Sequence, residues 1–148
     1  MNKSEIMSLL GHEGKEWGVR RGNVSTTIPF SDGEWISLDF HNFTEQEVCD
    51  LLDREFLIQL RDRLPELVEK CLEYAEENDL YKTWYSDTGL AFDFCGVNFK
   101  KNYEKSLFTL EFDAGDNPDE FQSEWMVSIG FDRDFRLTGE VFEESIWR

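Results

Sequence analysis

The chain is poor in basic residues: Lys and Arg together number 15 among 148 positions, against 32 Asp and Glu. The resulting formal net charge of −17 disfavours direct binding to nucleic acid, which needs cations to neutralise phosphates, and disfavours anionic membrane surfaces for the same reason. Histidine is scarce too, with only His12 and His41. Three cysteines, Cys49, Cys71 and Cys95, stand at wide spacing with no CxxC. An odd, dispersed set of this kind reads as reduced thiols in a cytoplasmic protein. No apolar run approaches the roughly 20 residues of a membrane-spanning helix. The opening Met1–Met7 has neither the basic flank nor the apolar stretch of a secretory signal. Repeats, low-complexity tracts and linkers are missing, so one domain over 1–148 is expected.

The missing motifs narrow the chemistry further. No GxSxG elbow and no cysteine-protease signature accompanies the two histidines. No HxxxH or CxxC marks a transition-metal site, and no GxxxxGK[ST] marks a phosphate loop. Asp113, Asp116, Asp119 and Glu120 offer the oxygens that hard cations prefer, but lack the D-x-[DN]-x-[DN]-G spacing of a calcium loop. They read as a solvated acidic loop over Ala114–Glu120, and no metal or cofactor is expected. With 32 carboxylates available, paired-carboxylate acid–base catalysis stays open as an alternative.

What the chain does have is hydrophobic patterning: 40% of residues are hydrophobic and 13 are Phe, enough for a core without disulfides at this length. After a lead-in that is irregular or briefly helical, Val24, Thr26, Ile28 and Phe30 alternate with polar neighbours. Ser31-Asp32-Gly33 supplies a turn, and Ile36, Leu38 and Phe40 resume the alternation, which together predict a hairpin. Thr44-Glu45-Gln46-Glu47 is a capping box. Apolar residues then recur at helical spacing from Val48 to Ala75, with a local shift near Phe56. Pro65 interrupts this stretch, so a kink or a second helix starting near it is expected. Four further strands are predicted near Leu90–Phe99, Lys105–Phe112, Glu124–Phe131 and Phe135–Phe142, each with one apolar and one largely polar face. The fold class is α+β: a meandering antiparallel sheet covered on one face by a long or kinked helical segment over about 44–78. The three cysteines fall on apolar positions and read as core filling.

The negative charge is uneven. Glu66, Glu69, Glu73, Glu76 and Glu77 form a ridge at helical spacing, although like charges four apart destabilise a helix by about a few tenths of a kcal/mol per pair. A second cluster, Asp113, Asp116, Asp119 and Glu120, lies near the candidate aromatic anchors Trp84 and Tyr85. Interface hot spots favour Trp and Tyr within a polar rim, and carboxylates around them steer a basic partner. Glu69, Glu73, Glu76, Asp113, Asp116, Asp119, Glu120, Trp84 and Tyr85 are therefore the candidate partner-binding residues. A solvated helix face and a tryptophan packed over a helix end are the plainer readings of the same residues.

Two runs, Ile28-Pro29-Phe30-Ser31-Asp32-Gly33-Glu34-Trp35 and Ile129-Gly130-Phe131-Asp132-Arg133-Asp134-Phe135, together with the acidity and compactness, make the chain similar to small acidic immunity proteins encoded beside bacterial contact-dependent or polymorphic toxins. The resemblance implies a non-catalytic protein that blocks a cognate toxin, often a basic nuclease. The alternatives from the residues themselves are a small cytoplasmic enzyme using two carboxylates, a nucleic-acid-mimic inhibitor, and a domain whose acidity serves solubility.

Overall fold

The computed structural model describes residues 1–11, 17–31, 33–80, 92–116 and 123–147, which form three helices and a seven-stranded sheet in the order β1 to β7. The chain opens with α1 (Lys3–Leu9), capped by Asn2, so the lead-in is helical. The edge strand β1 (Gly18–Arg20) and β2 (Asn23–Pro29) meet through Arg21 and Gly22, both at positive φ (53° and 80°). Two left-handed central residues make the turn whose twist matches a two-residue hairpin. β3 (Trp35–His41) pairs antiparallel with β2 across the expected turn, where Gly33 has φ +82°.

The helical segment is α2 (Glu45–Leu51) followed by α3 (Arg54–Glu77). The Thr44 capping box forms as read: the Glu47 N–H donates to Thr44 Oγ1 at 3.1 Å, and the Thr44 N–H donates to Glu47 Oε1 at 3.0 Å. The break falls at Leu52 and Asp53, not at Pro65, which lies exposed inside an unbroken α3. Leu57, Leu60 and Leu64 before the proline, and Leu67, Cys71 and Ala75 after it, are all fully buried. A buried leucine contributes about 1.5–3 kcal/mol, so one continuous apolar stripe outweighs the roughly 3 kcal/mol cost of an interior proline. At 1.5 Å per residue, α3 spans about 36 Å, enough to cross seven strands spaced about 4.8 Å apart.

The crossover through α2 and α3 brings the chain back to start β4 (Asp93–Lys100) at the same end as β3, and the two run parallel, with Leu38 opposite Val97 and Phe40 opposite Phe99. Among the described residues this is the one parallel pair in an otherwise antiparallel sheet; a helical crossover is the connection that parallel neighbours require. From there β5 (Phe108–Asp116), β6 (Ser123–Phe131) and β7 (Leu137–Trp147) form an antiparallel meander. Strand β5 continues to Asp116, so the acidic stretch that the sequence read as a loop from Ala114 is strand at its start; residues 117–122 lie outside the described residues. Phe135, expected at the start of the last strand, instead sits in the β6–β7 turn at φ +63° and is buried there, stacked on Phe56 with ring centroids 5.2 Å apart. Gly130 is buried where β6 passes Ser106 and Thr138; a Cβ there would collide with the Ser106 side chain, a close approach that only glycine permits.

One face of the sheet carries the core. Val24, Ile28, Leu38, Phe40, Val97, Phe99, Phe108, Leu110, Phe112, Val127, Ile129 and Phe131 are buried there with the apolar stripes of the helices. Phe56 of α3 packs edge-on against Phe99 and Phe108. The opposite face has no helix over it among the described residues.

Candidate functional site on the open face of the sheet

Because successive strand residues point to opposite sides, burial of Leu38, Phe40, Val97, Phe99, Phe108, Leu110 and Phe112 on the helix side puts Asp39, His41, Asn98, Thr109, Glu111 and Asp113 on the other. These polar positions are joined across three strands. The Nδ2 of Asn98 donates to Glu111 Oε2 at 3.2 Å, which leaves Asn98 Oδ1 to accept from His41 Nε2 at 2.8 Å. Cys95, at the bulge between Phe94 and Gly96, places its thiol 3.4 Å from the Glu111 carbonyl oxygen and 3.8 Å from Glu111 Oε1.

Tyr103, in the β4–β5 connection, folds back over this face. Its hydroxyl lies 3.0 Å from Thr109 Oγ1 and its ring 5.1 Å from that of Phe142 on β7. Glu140 holds the connection in place by accepting the backbone N–H groups of Glu104 and Lys105. Thr109 is thereby fully buried, whereas Phe142 stays 41% exposed. Between them is a shallow cavity of about 240 Å³, bordered by Tyr103, Glu111, Met126, Phe142 and Glu144 and, on one side, by Lys100 and Asn102. It is an aromatic pair flanked by carboxylates, with one lysine at its border.

Electrostatics follow from this burial. The Glu111 carboxyl is raised above its ordinary value, chiefly by desolvation and further by Asp39, with Asn98, Cys95 and Lys100 working against the rise. Burial pushes Tyr103 up to about 12 and Cys95 up to about 12, the latter helped by Glu111. Neither group ionises near neutral pH, so the thiol carries no nucleophilic thiolate. Cys71 is raised by burial within the core. Of the three cysteines, then, Cys71 fills the core, while Cys49 and Cys95 are half-buried, and Cys95 lies against a carboxylate rather than among hydrocarbon. Among the described residues, no group of three or more His, Cys, Asp or Glu is placed to hold a metal ion.

The residues singled out from sequence are distributed differently from the expectation. Glu69, Glu73 and Glu76 are exposed on α3, and among the described residues none of them makes an ion pair; Glu66 takes both nearby cations, Arg63 at 3.1 Å and Lys70 at 3.6 Å. Asp113 is on β5, on the face turned away from α3, so it does not share a surface with the α3 ridge. Asp116 ends β5. Trp84, Tyr85, Asp119 and Glu120 lie outside the described residues. The aromatic anchors that the structure does place in an acidic rim, Tyr103 and Phe142, were not singled out from sequence. Their signal was a tyrosine in a polar connection and a phenylalanine at the end of an alternating strand, which becomes legible only once β5, β6 and β7 are in register.

Among the described residues, no helix is long and apolar enough to cross a membrane. The chain matches no protein-family model, no curated protein and no solved structure.

Proposed function

We propose that this is a non-catalytic binding protein that neutralises a basic protein partner, in the manner of an immunity protein that blocks a toxin nuclease in the cytoplasm. The observation that carries the reading is the exposed Phe142 ring beside Tyr103, flanked by Glu111 and Glu144 on an uncovered sheet face. A nuclease presents a cationic groove to bind phosphates. A carboxylate-rimmed surface on a rigid sheet competes for that groove. The net charge of −17 accelerates encounter, and a desolvated aromatic pair slows release. The α3 ridge of Glu69, Glu73 and Glu76 adds to the long-range field from the other side of the molecule.

The test is co-expression with the product of the adjacent gene, followed by gel filtration and surface plasmon resonance. A complex is expected at low salt, weakening as salt approaches about 1 M, where charges are screened beyond roughly 3 Å. Phe142→Ala should raise the dissociation rate, and Glu144→Lys should lower the association rate. Absence of a complex at micromolar protein and low salt overturns the proposal.

A further inference from the structure

One cavity on this acidic molecule is lined by cations. It opens where the parallel neighbours β3 and β4 both end, at His41 and Lys100, beside the β1–β2 turn. Arg21, Lys100 and Lys101 surround about 490 Å³ together with the His41 ring and asparagine amides, and no carboxylate lines it. Crevices outside the carboxyl ends of parallel strands are where ligands collect in open sheets, and the volume suits a small molecule.

The cations differ in how they are committed. Lys101 is paired with Glu47 and lies over the Phe43 ring, 4.9 Å from its centroid. Arg21 and Lys100 make no ion pair among the described residues. His41 is oriented by its Nε2 bond to Asn98. The Asn42 N–H donates to Asn23 Oδ1 at 3.0 Å, fastening β2 to the residues that follow β3 and fixing one wall. Arg21 is the telling residue. It occupies the first central position of its hairpin turn at φ +53°, where Asn, Asp or Gly is favoured. An arginine there puts a long cation at the cavity mouth against the conformational preference of the turn.

We propose that this cavity binds a small phosphate-bearing ligand, with Lys100 and Arg21 holding the phosphate oxygens and the amides of the asparagines meeting its remaining polar groups. Amide donors and two cations outside any ion pair among the described residues suit a multivalent oxyanion. An extended polyanion is disfavoured, because every further phosphate would face a body of net charge −17; a compact one feels mainly the local field. Lys100 and Asn102 also border the aromatic-carboxylate cavity, whereas Arg21 borders only this one, so Arg21→Asn tests this site without touching the other.

The experiment is isothermal titration of the full chain with inorganic pyrophosphate at low salt. Saturable one-to-one binding is expected, weakened about tenfold or more by Lys100→Gln and by Arg21→Asn, since each removes charge-assisted hydrogen bonds. Asn suits the left-handed turn, so Arg21→Asn keeps the fold, and its melting temperature at or above that of the parent chain verifies this. Glu55→Gln, at an exposed position on α3, should bind pyrophosphate as the parent does. No saturation at millimolar pyrophosphate, or parent-like binding by both cation variants, overturns the proposal. So does binding of a single-stranded oligonucleotide without binding of pyrophosphate, which would assign the cations to an extended backbone instead.

Discussion

Asp53 and Arg133, 80 positions apart, meet at 2.6 Å where the start of α3 touches the β6–β7 turn. The same carboxylate caps the helix, its Oδ1 accepting the Phe56 N–H at 2.8 Å. Arg133 also donates to the Leu51 carbonyl oxygen at 3.3 Å and lies over the Phe56 ring, 5.0 Å from its centroid. One contact therefore sets the helix break, the helix start and the docking of the last hairpin.

The two roles of Asp53 separate by substitution. Asn is as good a cap as Asp, so Asp53→Asn should lose only the exposed ion pair, about 0.5 kcal/mol. Asp53→Ala should also lose the cap, for a total of about 1–2 kcal/mol. The Asp53 carboxyl is held below its ordinary value, first by the Phe56 N–H and then by Arg133. Its contribution is therefore present above the ordinary carboxylate range and lost as pH falls through the depressed value. Urea denaturation at pH 7 and at acid pH checks both statements: the parent's advantage over Asp53→Asn should shrink on acidification.

Pro65 marks the limit of what local sequence could tell. The Thr44 cap, the apolar stripe from Val48 to Ala75 and the alternation in β2, β3, β5 and β6 all follow from residues a few positions apart, and the structure places them as read. The position of the helix break does not follow from such neighbours. Asp53 precedes Arg54-Glu55-Phe56 and lacks the Glu or Gln that completes a capping box, while Pro65 is a strong local breaker; yet the core stripe runs through the proline and the break sits at Asp53, where Arg133 arrives from a distant turn. The open face was hidden for the same reason. His41, Asn98 and Glu111 come from three strands, and their meeting depends on the parallel β3–β4 register, which only the crossover fixes. Tyr103 and Phe142 likewise need the β5–β6–β7 meander before they face each other. Acidity was visible from composition, but which carboxylates surround an aromatic pair was not.

It follows that Pro65 is a cost that the fold tolerates. Its ring leaves the Arg61 carbonyl without an intrahelical donor, and its own position is exposed, so replacement disturbs no packing. Pro65→Ala should stabilise the chain by about 1–3 kcal/mol, read as a higher midpoint in urea with an unchanged slope. A lower midpoint would mean that the proline shapes α3 to the sheet and that straightening the helix unpacks Leu64 or Leu67.

Glu111 connects stability to the proposed activity. Its carboxyl is raised, so between the ordinary value and the folded value the native chain holds a proton that the unfolded chain has released; stability falls as pH rises through that window and is flat above it. The cost of the buried charge grows with pH through that window. Below the ordinary carboxylate range it is gone. Glu111→Gln keeps an oxygen to accept from Asn98 and removes the charge, so its melting temperature should exceed the parent's by a few degrees at pH 7 and match it below the ordinary carboxylate range. A residue retained only for the fold would instead lower the melting temperature when replaced. The same variant should bind a basic partner more weakly and with a shallower salt dependence, because it removes a rim carboxylate beside Tyr103 and Phe142. Gain in stability together with loss of binding is the pattern expected of a charge kept for a partner; unchanged binding in the stabilised variant would remove Glu111 from the interface.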